Sequence, residues 1–81
     1  MKTTIGEMAI GERATVAGFV KGARPYREKL LAMGLTRGTP LVVQRIAPMG
    51  DPVEIEIRGF MLSLRKDEAA ALIVEKEDRH A

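Results

Sequence analysis

Lys21, Arg24, Arg27 and Lys29 gather four cations around a single tyrosine, Tyr26, within nine residues. Arginine pairs phosphate and tyrosine can stack on a base, so this run is the best nucleic-acid signal in the chain. Two features weigh against it. Glu28 interrupts the run, and Tyr26 shares an apolar stripe with Leu30 and Met33. The whole chain holds one Tyr, two Phe and no Trp, too few aromatics for a stacking platform. A solvated helix face is the plainer account, and nucleic acid is not expected as a partner. A basic face that docks on an acidic protein or a membrane surface is equally compatible with these residues.

The other chemistry-bearing residues are sparse. Nucleophilic catalysis needs a nucleophile, a base and an orienting group. The single histidine is His80, next to the last residue, and the hydroxyls of the threonines, Ser63 and Tyr26 stand in no triad or elbow motif. The chain is therefore not expected to be an enzyme. Without cysteine there is no disulfide, thiolate metal site or sulfur nucleophile. Glu54 and Glu56, on one strand face, could join Asp51 in a weak oxygen site for a transition metal, and His80 with Asp78 is equally thin. A solvated strand face is preferred, so neither a metal site nor a cofactor is expected. Gly22-Ala23-Arg24 precedes a helix but lacks the patterns of phosphate-binding loops. Met49, between Pro48 and Gly50, and Met61, on the strand face opposite Phe60, Leu62 and Leu64, are candidates for an exposed apolar contact.

The elements that would position these residues are short. Val53, Ile55 and Ile57 alternate with Glu54, Glu56 and Arg58, the pattern of a strand with one buried and one wet face. Gly59 breaks it, and a second strand follows to Arg65. Arg13 to Val20 and Thr39 to Ala47 read as earlier strands, with Gly18 marking a bulge or bend. Ile73 to Lys76 can form the last strand. Arg24 to Met33 reads as a helix that opens on Pro25 and stops at Gly34. Asp67 and Glu68 suit the start of a second, short helix, where the dipole favours negative charge. Five short strands and two short helices predict a mainly β fold. A small, partly open five-stranded barrel of the Src-homology-3 (SH3) type fits best, with an OB-like barrel second.

The 81 residues make one domain, expected over 1–76 with a polar tail over 77–81. No secretory h-region and no membrane-length apolar run are read. Charge is uneven: residues 1–50 hold eight Lys/Arg against three Asp/Glu, and residues 51–81 hold five against eight. A polarised surface follows if the halves do not interleave completely.

Taken together, Leu31-Ala32-Met33-Gly34-Leu35-Thr36-Arg37-Gly38, Pro48-Met49-Gly50-Asp51-Pro52 and Gly59-Phe60-Met61-Leu62-Ser63-Leu64-Arg65 with Glu68-Ala69 resemble the FeoA family. The Gly11-to-Val16 strand also matches, so the resemblance runs from about Ile5 to Val74. It implies an SH3-type barrel, a cytoplasmic location and a role as accessory protein in bacterial ferrous iron uptake. The implied partner is FeoB, the membrane transporter, through its cytoplasmic GTP-binding domain. The resemblance carries no catalytic residues. Arg24, Arg27 and Lys29, with Met49 and Met61, are the expected partner contacts. The alternatives are a small nucleic-acid-binding barrel and a metal-responsive regulatory module. A related domain ends some iron- and manganese-dependent repressors, but no helix-turn-helix precedes the barrel here.

Overall fold

The computed structural model describes residues 1–77. It contains six strands: β1 (Lys2–Thr4), β2 (Arg13–Phe19), β3 (Pro40–Ile46), β4 (Val53–Ile57), β5 (Phe60–Leu64) and β6 (Leu72–Lys76). Two helices join them, α1 (Arg24–Ala32) and α2 (Lys66–Ala71). All pairings are antiparallel, in the order β1-β6-β2-β3-β4-β5. The fold is mainly β, with one strand more than the expected five. The extra strand is β1, whose Thr3 lies opposite Val74. The sheet does not close, and β1 and β5 are its edges among the described residues.

Two register shifts bend the sheet. One lies between Val16 and Gly18, where the in-strand glycine predicts it, and one between Val43 and Arg45. A bulge adds twist and lets a short sheet curl around its own core. That core takes one face of each long strand: Ala14 and Val16 from β2, Leu41 and Val43 from β3, Val53, Ile55 and Ile57 from β4. Leu64, Leu72 and Val74 complete it from β5 and β6. Ile5 and Met8 join it from the 3₁₀ turn over Ile5–Glu7 and the residue after it, whereas Ile10 points to water. Arg58 falls in the hairpin turn rather than in a strand. Its φ of 48° and the 81° of Gly59 join Ile57 to Phe60 through two left-handed residues, as a twist-matched hairpin requires.

Helix α1 ends as its sequence predicts. Gly34 adopts φ +99°, Gly34 N–H donates to Leu31 O at 3.0 Å, and Leu35 N–H donates to Leu30 O at 3.1 Å. This is the paired-bond helix stop, with Leu30 and Leu35 both fully buried as its apolar partners. Tyr26 and Met33 pack partly buried against the core, on the expected stripe. Leu31 departs from it and faces outward, 37% exposed. Glu77 still donates its backbone N–H to Arg13 O at 3.0 Å, one residue past β6. The rest of the expected tail, with Asp78 and His80, lies outside the described residues. No helix among the described residues is long and apolar enough to cross a membrane.

Candidate functional site

The basic run is split by the helix that carries it. Arg24 and Arg27 lie on the side of α1 that faces the end of β2. There they border a groove of about 420 Å³. Its apolar part is Val16 and Phe19 from β2, Val20 just after it and Leu31 from α1. Arg37, from the turn before β3, also lines it. Its Nη2 would stand 3.6 Å from a Cβ built on Gly18, so the guanidinium lies across the glycine of the bulge. Arg27 sits over the Phe19 ring, 5.8 Å from its centroid. Arg24, Arg27 and Arg37 form no ion pair among the described residues. Among the described residues, three guanidiniums border the groove and no carboxylate does. Arg37 is the contributor that sequence reasoning missed. It lies ten residues beyond Arg27 and reaches the site only because Gly34 turns the chain back.

Lys29 is directed elsewhere. Its ammonium donates to Glu68 Oε2 at 2.6 Å, and Glu68 Oε1 accepts the Arg65 backbone N–H at 2.9 Å. Glu68 is buried, with its side chain 5% exposed against 60% for Lys29. The Lys29 ammonium holds the Glu68 carboxyl below the usual carboxylate range; burial opposes this and the Arg65 N–H assists it. The pair ties α1 to α2. Glu68 thus does more than face a helix dipole, a role hidden from the sequence because its partner is 39 residues away.

The two methionines are both exposed but do not meet as one patch. Met49 is 89% exposed at φ 72°, in the turn that leads into β4. Met61 is 54% exposed and pairs with Glu56, near the opposite end of the β4–β5 hairpin. Phe60, its neighbour at the hairpin turn, is also exposed.

The acidic residues weighed for metal binding have other partners. Asp51 Oδ1 accepts the Lys66 backbone N–H at 3.1 Å, Glu56 accepts from Gln44 Nε2 at 2.7 Å, and Glu54 lies 3.9 Å from Arg45 Nε. Among the described residues no three His, Cys, Asp or Glu side chains cluster to hold a metal ion.

The family model of the FeoA domain matches residues 3–76. The chain belongs to the FeoA family. A relative from Porphyromonas gingivalis, an Fe(2+) transport protein A/Fe(2+) transporter FeoB fusion protein, is 34% identical over 71 residues, 88% of this chain. The chain spans 8% of that protein's length. The NMR structure of a FeoA-like protein from Clostridium acetobutylicum superimposes with a TM-score of 0.87 at 38% identity, covering 99% of this chain and 92% of that one. The crystal structure of Stenotrophomonas maltophilia FeoA, described as a prokaryotic SH3 domain protein complexed with zinc, gives a TM-score of 0.77 at 20% identity, with 96% and 99% covered. That last likeness speaks for the fold alone. This FeoA-family chain thus has the SH3-like fold expected from its strand pattern and belongs to a family named for ferrous iron transport.

Proposed function

We propose that this chain is an accessory protein of bacterial ferrous iron uptake, and that it works in the cytoplasm by docking on a FeoB-like transporter. The observation that carries this reading is the Porphyromonas gingivalis relative, in which the homologous segment is joined to the FeoB transporter in one polypeptide. Joining two modules raises the effective concentration of each for the other, to roughly millimolar with a short linker. Fusion therefore favours pairs that act in contact. The geometry is compatible with such a role. The groove offers charge and an apolar floor to a partner. Arg24 and Arg27, with the exposed Met49 and Met61, are the contacts we assign, and Lys29 serves mainly to hold α1 against α2. The GTP-binding domain of the transporter is the part we expect to be touched.

The test is a binding measurement between the purified chain and the transporter's cytoplasmic domain, loaded in turn with GDP, a GTP analogue or no nucleotide. Saturable binding that survives nuclease treatment supports the proposal. Absence of binding in every nucleotide state, or binding abolished by nuclease, overturns it.

A further inference from the structure

We infer that the groove between β2 and α1 holds an acidic, extended peptide segment of a protein partner, laid along the β3-facing edge at the end of β2. The inference rests on the docking role above and names the chemistry that would fill it. The ladder between β2 and β3 covers only Arg13, Ala14 and Thr15, and its last bonds join Val16 to Gly38 and Thr39. Beyond the bulge, Gly18 and Phe19 pair with Ile73 and Leu72 of β6 but with no residue of β3. Among the described residues, no strand therefore pairs with the β3-facing side of this end of β2, which borders the groove with only the Arg37 side chain across Gly18. An extended chain docks on such an edge through its main chain, and alternate side chains supply specificity.

Charge decides what those side chains are. Arg24 and Arg27 border the groove from α1 and Arg37 from the turn before β3, none with an ion pair among the described residues. Guanidinium is suited to carboxylate because its fork of donors can make two parallel bonds. Phe19, Val20 and Leu31 line the same groove and suit an apolar residue of the incoming segment. The volume of about 420 Å³ falls within the roughly 300–1,000 Å³ of ligand clefts.

The same arginines could meet phosphate, but the surroundings favour peptide. A nucleobase needs an open aromatic face. Arg27 stands over one face of the Phe19 ring, and Tyr26 packs against the core, so no aromatic pair is offered to stack a base. A bare phosphate leaves the apolar floor and the strand edge unused.

Two measurements on the full chain test this. In the first, amide shifts are followed while a blocked Glu-Val-Glu-Val-Glu-Val peptide is titrated in. Val-Lys peptide, inorganic phosphate and single-stranded DNA serve as comparisons. Shifts concentrated at residues 16–20, 24–31 and 37 are expected, with affinity falling about tenfold in the Arg24→Glu/Arg37→Glu variant, as loss of close charge pairs implies. Leu31→Asp should weaken the peptide too. Arg37→Gln, which keeps size without charge, guards against a folding defect in the double variant. Shifts elsewhere, unchanged affinity in the variants, or phosphate or DNA binding the groove as tightly as peptide overturns the inference.

The second measurement applies the same variants to the transporter's cytoplasmic domain. If the native chain binds and the groove variants bind equally well, the groove assignment fails while the docking role stands. If the native chain does not bind but the acidic peptide occupies the groove, the docking role fails and the groove remains a peptide site.

Discussion

Removing either half of the Lys29–Glu68 pair should destabilise the protein, but unequally and with different pH dependence. Glu68 lies buried with two bonds, to Lys29 Nζ at 2.6 Å and to the Arg65 N–H at 2.9 Å. Glu68→Ala removes both. Lys29 is mostly exposed and can rehydrate, so no buried charge is left behind. The cost is then that of a hydrogen bond to a charged group, about 1.5–3 kcal/mol, with part of it from the uncapped N–H. For a domain of this size, about 2 kcal/mol lowers Tm by roughly 8–16 °C. Lys29→Met does the opposite: it leaves a buried carboxylate without its cation, and breaking pairs in this way costs about 3–5 kcal/mol in fully buried cases. The value here should fall toward the lower end, because the site opens to water on the lysine side. At neutral pH, Lys29→Met should therefore be the more damaging change.

The sign of the pH effect follows from the direction of the shift. The native Glu68 carboxyl titrates below its ordinary value, so its stabilisation is present above the unfolded pKa and is lost as pH falls through the folded one. Lys29→Met removes the largest cause of that lowering, and burial then pushes the carboxyl up. Acidification from pH 7 toward 4 should thus narrow the gap between native and Lys29→Met. Urea unfolding of both variants and of the double variant, from pH 7 to pH 3, measures each quantity. A Glu68→Ala cost under about 0.5 kcal/mol, the level of an ordinary surface change, would refute the reasoning, as would a gap that widens on acidification.

Three further outcomes are expected. Gly34→Val should cost of order 1–2 kcal/mol, because a β-branched residue is forced to φ +99° with its Cβ 3.4 Å from Ile57 Cδ1; thermal unfolding at the native Tm would show the argument wrong. Exchanging Met49 and Met61 together for serine should leave stability within about 0.5 kcal/mol, since both are exposed, and should weaken association with the transporter's cytoplasmic domain; undiminished affinity would remove them from the interface. Calorimetry with ferrous iron should find no site tighter than about micromolar, or −8 kcal/mol, because the candidate carboxylates already have protein partners, and a stoichiometric tight site would revive the metal-responsive reading.

Most of the fold was legible because local patterns agree with global packing. The alternation from Val53 to Ile57 survives as buried and half-buried positions in strict turn. Pro25 and Gly34 bracket α1 to within a residue or two. Gly18 marked the bulge. Strand β1 was not legible. Lys2-Thr3-Thr4 has no apolar alternation, and it is extended because β6 offers an edge beside it, a cause located seventy residues away. The third arginine of the groove and the partner of Glu68 were hidden for the same reason, since both depend on chain segments that only the fold brings together.

The basic run shows why charge spacing alone could not locate a surface. Read linearly, Arg24, Arg27 and Lys29 form one patch. On a helix, at roughly 100° per residue, Arg24, Arg27 and Leu31 fall within about 60° of one another, while Lys29 is turned about 140° from Arg24. The first three border β2, and the fourth reaches α2. One helix thus sorts a single cluster into a structural cation and two free ones, and the burial of Glu68 decides which is which. Charge reversal at Lys29 would consequently confuse an unfolding defect with a binding defect, whereas reversal at Arg24 addresses the surface alone. A docking test at Lys29 must therefore measure stability alongside binding, because its ammonium also holds Glu68.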